Sequence, residues 1–215
     1  MKQIELYDVG RTTHRAVKGM YQFIAANADR YIKDKVLAER LKEEAKNREL
    51  NNHSIPQEYF TLITNIVAEA YRAGHFPIDL QATVYPDTIS RFEKVQSNGR
   101  RIGVLTSGSH DFTKIMFDVP GLNSKVNEYL FGEEIGDKDH PETFVRLWNK
   151  SKDGIYAIFD DKPSVCKAAS DGMRQVNAHA KIFLVDRNGG LPVETLEELA
   201  AKGIIRISSF DEVKD

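Results

Sequence analysis

The chain has 215 residues, of which 41% are hydrophobic and 29% charged, and its formal net charge is -2. That balance suits one domain with a large insertion or a small lid, and no bulk field draws the chain to nucleic acid or an anionic membrane. The single cysteine, Cys166, excludes an internal disulfide and agrees with a reducing compartment. No segment reaches the roughly 18 apolar residues that span a bilayer. The N-terminus lacks the basic-then-apolar pattern of a secretory leader. The expectation is a cytoplasmic protein, monomer or homodimer, without nucleic-acid or membrane partners.

Residues 4–7 read as a first buried strand, and Asp8 leaves it ahead of Gly10, Thr12 and Thr13. A carboxylate at that point, followed by glycine and hydroxyls, is badly placed for packing and well placed for chemistry. The long stretch that follows reads as several amphipathic helices, because it exceeds any simple crossover. Val17, Met20, Tyr21, Ile24, Ala28 and Tyr31 form one apolar stripe, and Leu37, Leu41 and Ala45 another, whose opposite face is a solvated run of mixed charge. The spacing predicts a helix over 54–74, with Ser54 and Gln57 at capping-box spacing, Pro56 in the first turn and Gly74 at the stop. Tyr59, Ile63, Ile66, Val67 and Ala70 share its apolar face.

From there strands and helices alternate. Residues 102–105, 155–159 and 182–185 are unbroken apolar runs, as strands covered on both faces require. Helical patterns over 87–97, 141–149 and 163–172 precede them in turn, the last a small-residue helix ending at Gly172-Met173. A helix over 193–202 stops at Gly203, and 204–207 reads as an edge strand. The fold class is therefore α/β, a doubly wound parallel-sheet Rossmann-like core with a helical cap inserted after the first strand. The core takes residues 1–13 and 85–215, and the cap residues 14–84.

In an open parallel sheet, ligands bind beyond the carboxyl ends of the strands. The first strand delivers Asp8 and Thr12 there, the second Thr106-Ser107-Gly108-Ser109, and the third Asp160-Asp161. Carboxylates at neighbouring strand ends repel unless a cation bridges them, and oxygen donors suit a hard ion such as Mg²⁺. Hydroxyls and amides beside Gly108, at the start of a helix near His110, are suited to phosphate oxygens. A lysine supplies charge to such a ligand: Lys138, in the polar loop Gly136-Asp137-Lys138-Asp139, leads over Lys114 and Lys162. Asp160, directly after the strand, leads over Asp161. Carboxylate, metal, hydroxyl and lysine together specify phosphoryl transfer through an aspartyl-phosphate. Cys166 lies in a helix without a histidine at an informative spacing and reads as a buried structural thiol.

The order and spacing of these motifs resemble the haloacid dehalogenase-like (HAD) hydrolase superfamily over essentially the whole chain. Asp8-Val9-Gly10-Arg11-Thr12 matches the first and last places of that family's Asp-x-Asp-x-Thr motif. Thr106-Ser107 falls at its phosphate-binding Ser or Thr, Lys138 at its lysine and Asp160 at its last acidic motif. Thr12-Thr13, Val84-Tyr85-Pro86-Asp87, Thr106-Ser107-Gly108-Ser109 and Lys114-Ile115-Met116-Phe117 are most similar to the enolase-phosphatase branch. The resemblance implies a Mg²⁺-dependent phosphatase for a small phosphorylated metabolite, with Asp8 as nucleophile. In it Thr106, Ser107 and Lys138 hold the phosphate, while Asp8, Asp160 and the carbonyl of Gly10 bind the metal.

The chain departs from the family pattern at two places. Gly10 stands where the family has the acid that protonates the leaving group, with His14 and Arg11 as nearby substitutes. Phe159-Asp160-Asp161, with Ser164 after it, stands where a Gly-Asp pair and a later acid are usual, and the bulk of Phe159 is expected to narrow the strand end. Two other functions fit a chain without that acid. One is an impaired binding or regulatory protein of this fold, the other a phosphonatase- or dehalogenase-type hydrolase.

Overall fold

The computed structural model describes residues 2–51 and 55–214. Its sheet is built from β1 (Ile4–Tyr7), β2 (Arg101–Thr106), β3 (Glu128–Phe131), β4 (Ile155–Asp160), β5 (Lys181–Val185) and β6 (Ile205–Ile207). All neighbours are parallel, in the order β3-β2-β1-β4-β5-β6. From central β1 the chain passes outward through β2 to β3, then returns to β4 and runs out the other way. That reversal opens a crevice beyond the carboxyl ends of β1 and β4. Tyr7 pairs in register with Val104 and with Phe159, so the residues that follow all three strands meet there.

Helices α1 (Met20–Tyr31), α2 (Lys35–Asn51), α3 (Gln57–Arg72) and α4 (Leu80–Thr83) lie between β1 and β2. Next come α5 (Pro86–Ser97), α6 (His110–Phe117), α7 (Gly132–Ile135), α8 (Pro141–Lys150), α9 (Pro163–Gln175) and α10 (Val193–Ala201). Side chains alternate across a strand, so neighbouring residues feed opposite faces. Tyr7, Val104, Phe159 and Phe183 pack on one face with Phe92 of α5, in a cluster continuous with Ile24, Leu41, Ile63 and Val67 of the inserted helices. Leu6, Leu105, Ile158 and Leu184 pack on the other with Phe144 and Leu147 of α8 and Val165 and Ala169 of α9. No helix among the described residues is long and apolar enough to cross a membrane.

The sequence expectation for the strands omits β3. Its residues, Glu-Tyr-Leu-Phe, are half-buried except Phe131, so no continuous apolar run marks this edge strand. The helix expected over 163–172 runs on to Gln175. Gly172 is its contact glycine rather than its stop: a Cβ there would lie 2.5 Å from the Pro141 carbonyl oxygen and 2.9 Å from the Phe144 Cβ. The Ser54 half of the expected capping box lies outside the described residues, and α3 begins at Gln57 with Pro56 at its N-cap.

One residue breaks the apolar pattern of β1. Glu5 is fully buried, on the same side of the strand as Tyr7. Arg91 of α5 donates to both its oxygens, at 2.9 and 2.7 Å, and to the Tyr7 hydroxyl at 3.1 Å. Arg100 forms a second ion pair with Glu5, and the Tyr7 hydroxyl donates to the same carboxylate. Burial and the Glu5 charge hold the Tyr7 hydroxyl well above its ordinary pKa, in its protonated form. A buried acid left without part of its positive surroundings is strongly destabilising. Arg91→Met is expected to lower the free energy of unfolding by about 3–5 kcal/mol in chemical denaturation. A loss under about 1 kcal/mol would show that Arg100 alone neutralises Glu5.

Candidate active site

Asp8 is the first residue beyond β1, with its N–H bonded to the Phe159 carbonyl at 2.9 Å. Asp160 ends β4 on the adjacent strand. Both are almost completely buried, as is Lys138, at 8%, 1% and 3% exposure respectively. The Lys138 ammonium lies between the two acids: it donates to Asp8 Oδ1, to Asp160 Oδ2 at 2.8 Å and to the Leu105 carbonyl at 3.4 Å. The cation that keeps these strand-end carboxylates together is thus a side chain of the protein. Lys114 and Lys162 are exposed, and of these three lysines only Lys138 enters the cluster.

Local structure explains how Lys138 gets there. Short α7 ends at Gly136, whose φ of 89° suits glycine. Beyond it, Thr143 Oγ1 donates to the Asp137 carbonyl at 2.6 Å, and the Asp139 N–H donates to Asp137 Oδ1 at 3.0 Å. This tight turn aims the intervening Lys138 inward. Asp160 is fixed by its own loop, since Oδ1 accepts the Lys162 N–H at 3.0 Å.

Asp161 joins the same cluster. Carboxylate oxygens of Asp8, Asp160 and Asp161 all lie within 4.8 Å of one another. Burial raises the Asp8 carboxyl to about 6, with Lys138 pulling it down and Asp160 pushing it up. Burial, then the charges of Asp8 and Asp160, raises Asp161 to about 7. Burial disfavours the Lys138 ammonium, but the two acids outweigh it and hold the amine firmly protonated. Three crowded oxygen donors with excess negative charge match the donor chemistry of a hard divalent ion. Asp8, Asp160 and Asp161 therefore fit Mg²⁺, whereas Lys138 supplies a single charge for all three.

Thr106 ends β2 beside this cluster, and its Oγ1 accepts the Gly108 N–H at 2.9 Å. Ser107 is half-buried, and α6 starts just beyond it, capped by the Ser109 hydroxyl. The inserted helices grip this loop: Gln57 Nε2 donates to the Ser107 carbonyl at 2.6 Å, and the Ser109 N–H donates to Thr64 Oγ1 at 2.9 Å. Neither α3 residue carries a sequence motif that points to the site.

At Gly10 nothing lies within 4 Å of the place a Cβ would take, so the position of the missing acid is open. His14 does not replace that acid. It is completely buried, its Nε2 is 2.9 Å from the Met116 carbonyl, its Nδ1 is 2.9 Å from Thr13 Oγ1, and burial lowers it to about 4. Phe159 does not narrow the strand end either, because it stacks inside the core between Tyr7 and Phe183, at 4.5 and 4.6 Å between centroids. Cys166 is buried with its thiol pushed up in pKa, consistent with an inert packing role.

Arg187, after β5, holds the loop from another side. It donates to the Thr12 carbonyl at 2.8 Å, pairs with Asp87, and lies over the Tyr85 and Phe210 rings at 4.2 and 4.7 Å. The Asp87 carboxylate also accepts from the Ser209 hydroxyl and the Phe210 N–H, each at 2.7 Å. Arg187 follows a strand and precedes a turn, with no motif to flag it.

The raised Asp161 carboxyl has a consequence for stability. The folded protein keeps its proton up to about pH 7, whereas an unfolded chain releases it near 4. The stability this proton confers is complete below the unfolded value and is lost as pH rises through about 7. Asp161→Asn should therefore gain on the wild type in metal-free buffer, by on the order of 1–3 kcal/mol between about pH 4.5 and about pH 8. Denaturation curves at the two pH values measure it, and a difference that does not change with pH would contradict the crowding of these acids.

No protein-family model matches the sequence, and no curated protein matches it. Solved structures match the fold over almost the entire chain. The Unknown transcript 4 protein of Saccharomyces cerevisiae is 16% identical with a TM-score of 0.59, over 99% of each chain. A HAD phosphatase from Thermococcus onnurineus is 17% identical with a TM-score of 0.59, over 96% of this chain and 100% of that one. A dehalogenase is 16% identical with a TM-score of 0.57, over 99% of this chain and 95% of that one. At such identity the likeness speaks to architecture, and the architecture is the HAD-like α/β fold.

Proposed function

We propose that the protein is a Mg²⁺-dependent hydrolase that releases phosphate from a small phosphorylated metabolite, with Asp8 as nucleophile. The observation that carries this reading is the buried Asp8–Lys138–Asp160 cluster at the switch point of the sheet, with Thr106 at the next strand end. In this scheme an Asp8 oxygen forms a bond to phosphorus as the bond to the leaving oxygen breaks. Water then attacks phosphorus, releasing phosphate and restoring the carboxylate. Thr106, Ser107 and the first amides of α6 receive the phosphoryl oxygens, and Lys138 neutralises charge on the transferred group. Asp8, Asp160 and Asp161 with the Gly10 carbonyl would hold Mg²⁺, which supplies further positive charge at the phosphoryl group. The inserted helices serve as the lid, through the contacts of Gln57 and Thr64 with the phosphate-binding loop. A narrower version, supported by the sequence patterns at Val84–Asp87 and Thr106–Ser109, is a substrate of the enolase-phosphatase kind.

The second reading follows from Gly10 and His14. With no acid at position 10, His14 locked as a neutral ring and the Arg11 guanidinium unable to give up its proton, no general acid stands in for the missing carboxyl at this loop. Leaving groups that depart without a proton are then favoured, as in phosphonatase- or dehalogenase-type chemistry, and unactivated esters turn over slowly or are only bound.

The wild type, assayed with p-nitrophenyl phosphate and a panel of phosphorylated metabolites, is expected to release phosphate only with Mg²⁺ present, and Asp8→Asn to release none. Metal-independent release, or equal release by Asp8→Asn, would sink the nucleophile assignment. Gly10→Asp has room for its side chain. It should raise the rate with unactivated esters by about 10²-fold, the lower end of general acid–base assistance. An unchanged rate in the folded variant would show that something other than proton transfer limits the site.

A further inference from the structure

Arg11 follows Gly10 in the loop that leaves β1, with a φ of 61°. That left-handed conformation is strained for a residue with a Cβ and natural to glycine. Asn177 is the other described non-glycine residue with positive φ, and asparagine belongs to the types that tolerate it. At Arg11 the backbone enforces the turn: its N–H donates to the His14 carbonyl at 2.6 Å, and the His14 N–H donates to the Val9 carbonyl at 2.9 Å. The buried Thr12, Thr13 and His14 anchor the loop beneath it.

The turn leaves the Arg11 side chain exposed, and no carboxylate among the described residues forms an ion pair with it. It lies three residues beyond Asp8 in a turn closed by the Thr13 hydroxyl, which donates to the Asp8 carbonyl at 3.1 Å, so its backbone stands beside the strand end that carries the acidic cluster. Beside it, the missing side chain of Gly10 leaves open space. A strained residue that keeps an unneutralised guanidinium at the mouth of a site, next to free volume, is placed for a ligand rather than for the fold. The guanidinium fork suits an oxyanion, carboxylate or phosphate alike.

We propose that Arg11 binds a second anionic group of the substrate, so that the substrate carries a carboxylate or a second phosphate close to the scissile phosphoryl group. This rests on the phosphoryl-binding assignment of the site, and the test separates the two. Calorimetric titration of the full chain with Mg²⁺ uses three stable probes: methylphosphonate, phosphonoacetate and methylenebisphosphonate. The first has one anionic group, the second adds a carboxylate and the third a second phosphonate.

The wild type is expected to bind at least one of the two doubly anionic probes about ten-fold or more tightly than methylphosphonate. Arg11→Gln and Arg11→Gly should erase that preference and leave methylphosphonate affinity unchanged. Arg11→Gly should also unfold at a temperature no lower than the wild type, since glycine takes this turn without strain. A wild type without the preference, or variants that keep it, overturns the role of Arg11 while methylphosphonate binding leaves the phosphoryl site standing. Failure of all three probes to bind overturns both.

Discussion

One buried ammonium sets the terms for the rest of the site. Asp8, Asp160 and Asp161 are brought together by the parallel register of β1 and β4, and burial raises the carboxyls of Asp8 and Asp161. Lys138 offsets part of that penalty by contacting Asp8, Asp160 and a backbone carbonyl of β2 at once. Its position depends in turn on the Gly136 turn and the Thr143 hydrogen bond at the start of α8. Three strand ends and one helix start therefore converge on a single charge. The balance is incomplete, since the Asp8 and Asp161 carboxyls remain raised, and three carboxylate oxygens within 4.8 Å of one another fit a hard divalent ion.

The loop after β1 is fastened from several directions. His14 ties it to α6 through the Met116 carbonyl, and Arg187 ties it to β5 and to the start of α5. The two connections of the inserted helices run side by side, with the Tyr85 N–H bonded to the Thr13 carbonyl and the Arg15 N–H to the Thr83 carbonyl. Arg15 adds side-chain hydrogen bonds to the Ala82 and Val84 carbonyls. At the far side, Gln57, Thr64 and Arg72 of α3 meet the loop after β2 and the start of α6. Any shift of the inserted helices therefore acts on the segments that carry Asp8 and Thr106. The apolar cluster shared by those helices and one sheet face makes the same coupling in packing terms.

Much of this was legible in the chain. Strands covered on both faces must be apolar throughout, so β1, β2, β4 and β5 stand out as unbroken runs. The edge strand β3 has no such requirement and carries no such mark. Glu5 carries no mark for the opposite reason: its partners Arg91 and Arg100 are distant in sequence, and only their approach makes a buried acid tolerable. Gly172 reads as a helix stop until the close approach of Pro141 shows that it is a contact point.

The sequence by itself determined the α/β architecture and the placing of Asp8, Thr106, Ser107 and Asp160 at strand ends, because periodicity and strand-end position are local properties. Tertiary structure alone put the Lys138 ammonium, already favoured by its polar loop, between Asp8 and Asp160, brought Asp161 into the acidic cluster and removed His14 from contention. It also assigned Gln57, Thr64 and Arg187 to the loops around the site. Those outcomes depend on distances between segments far apart in the chain and on the burial that sets each charge's energy, and neither is written in any local pattern of residues.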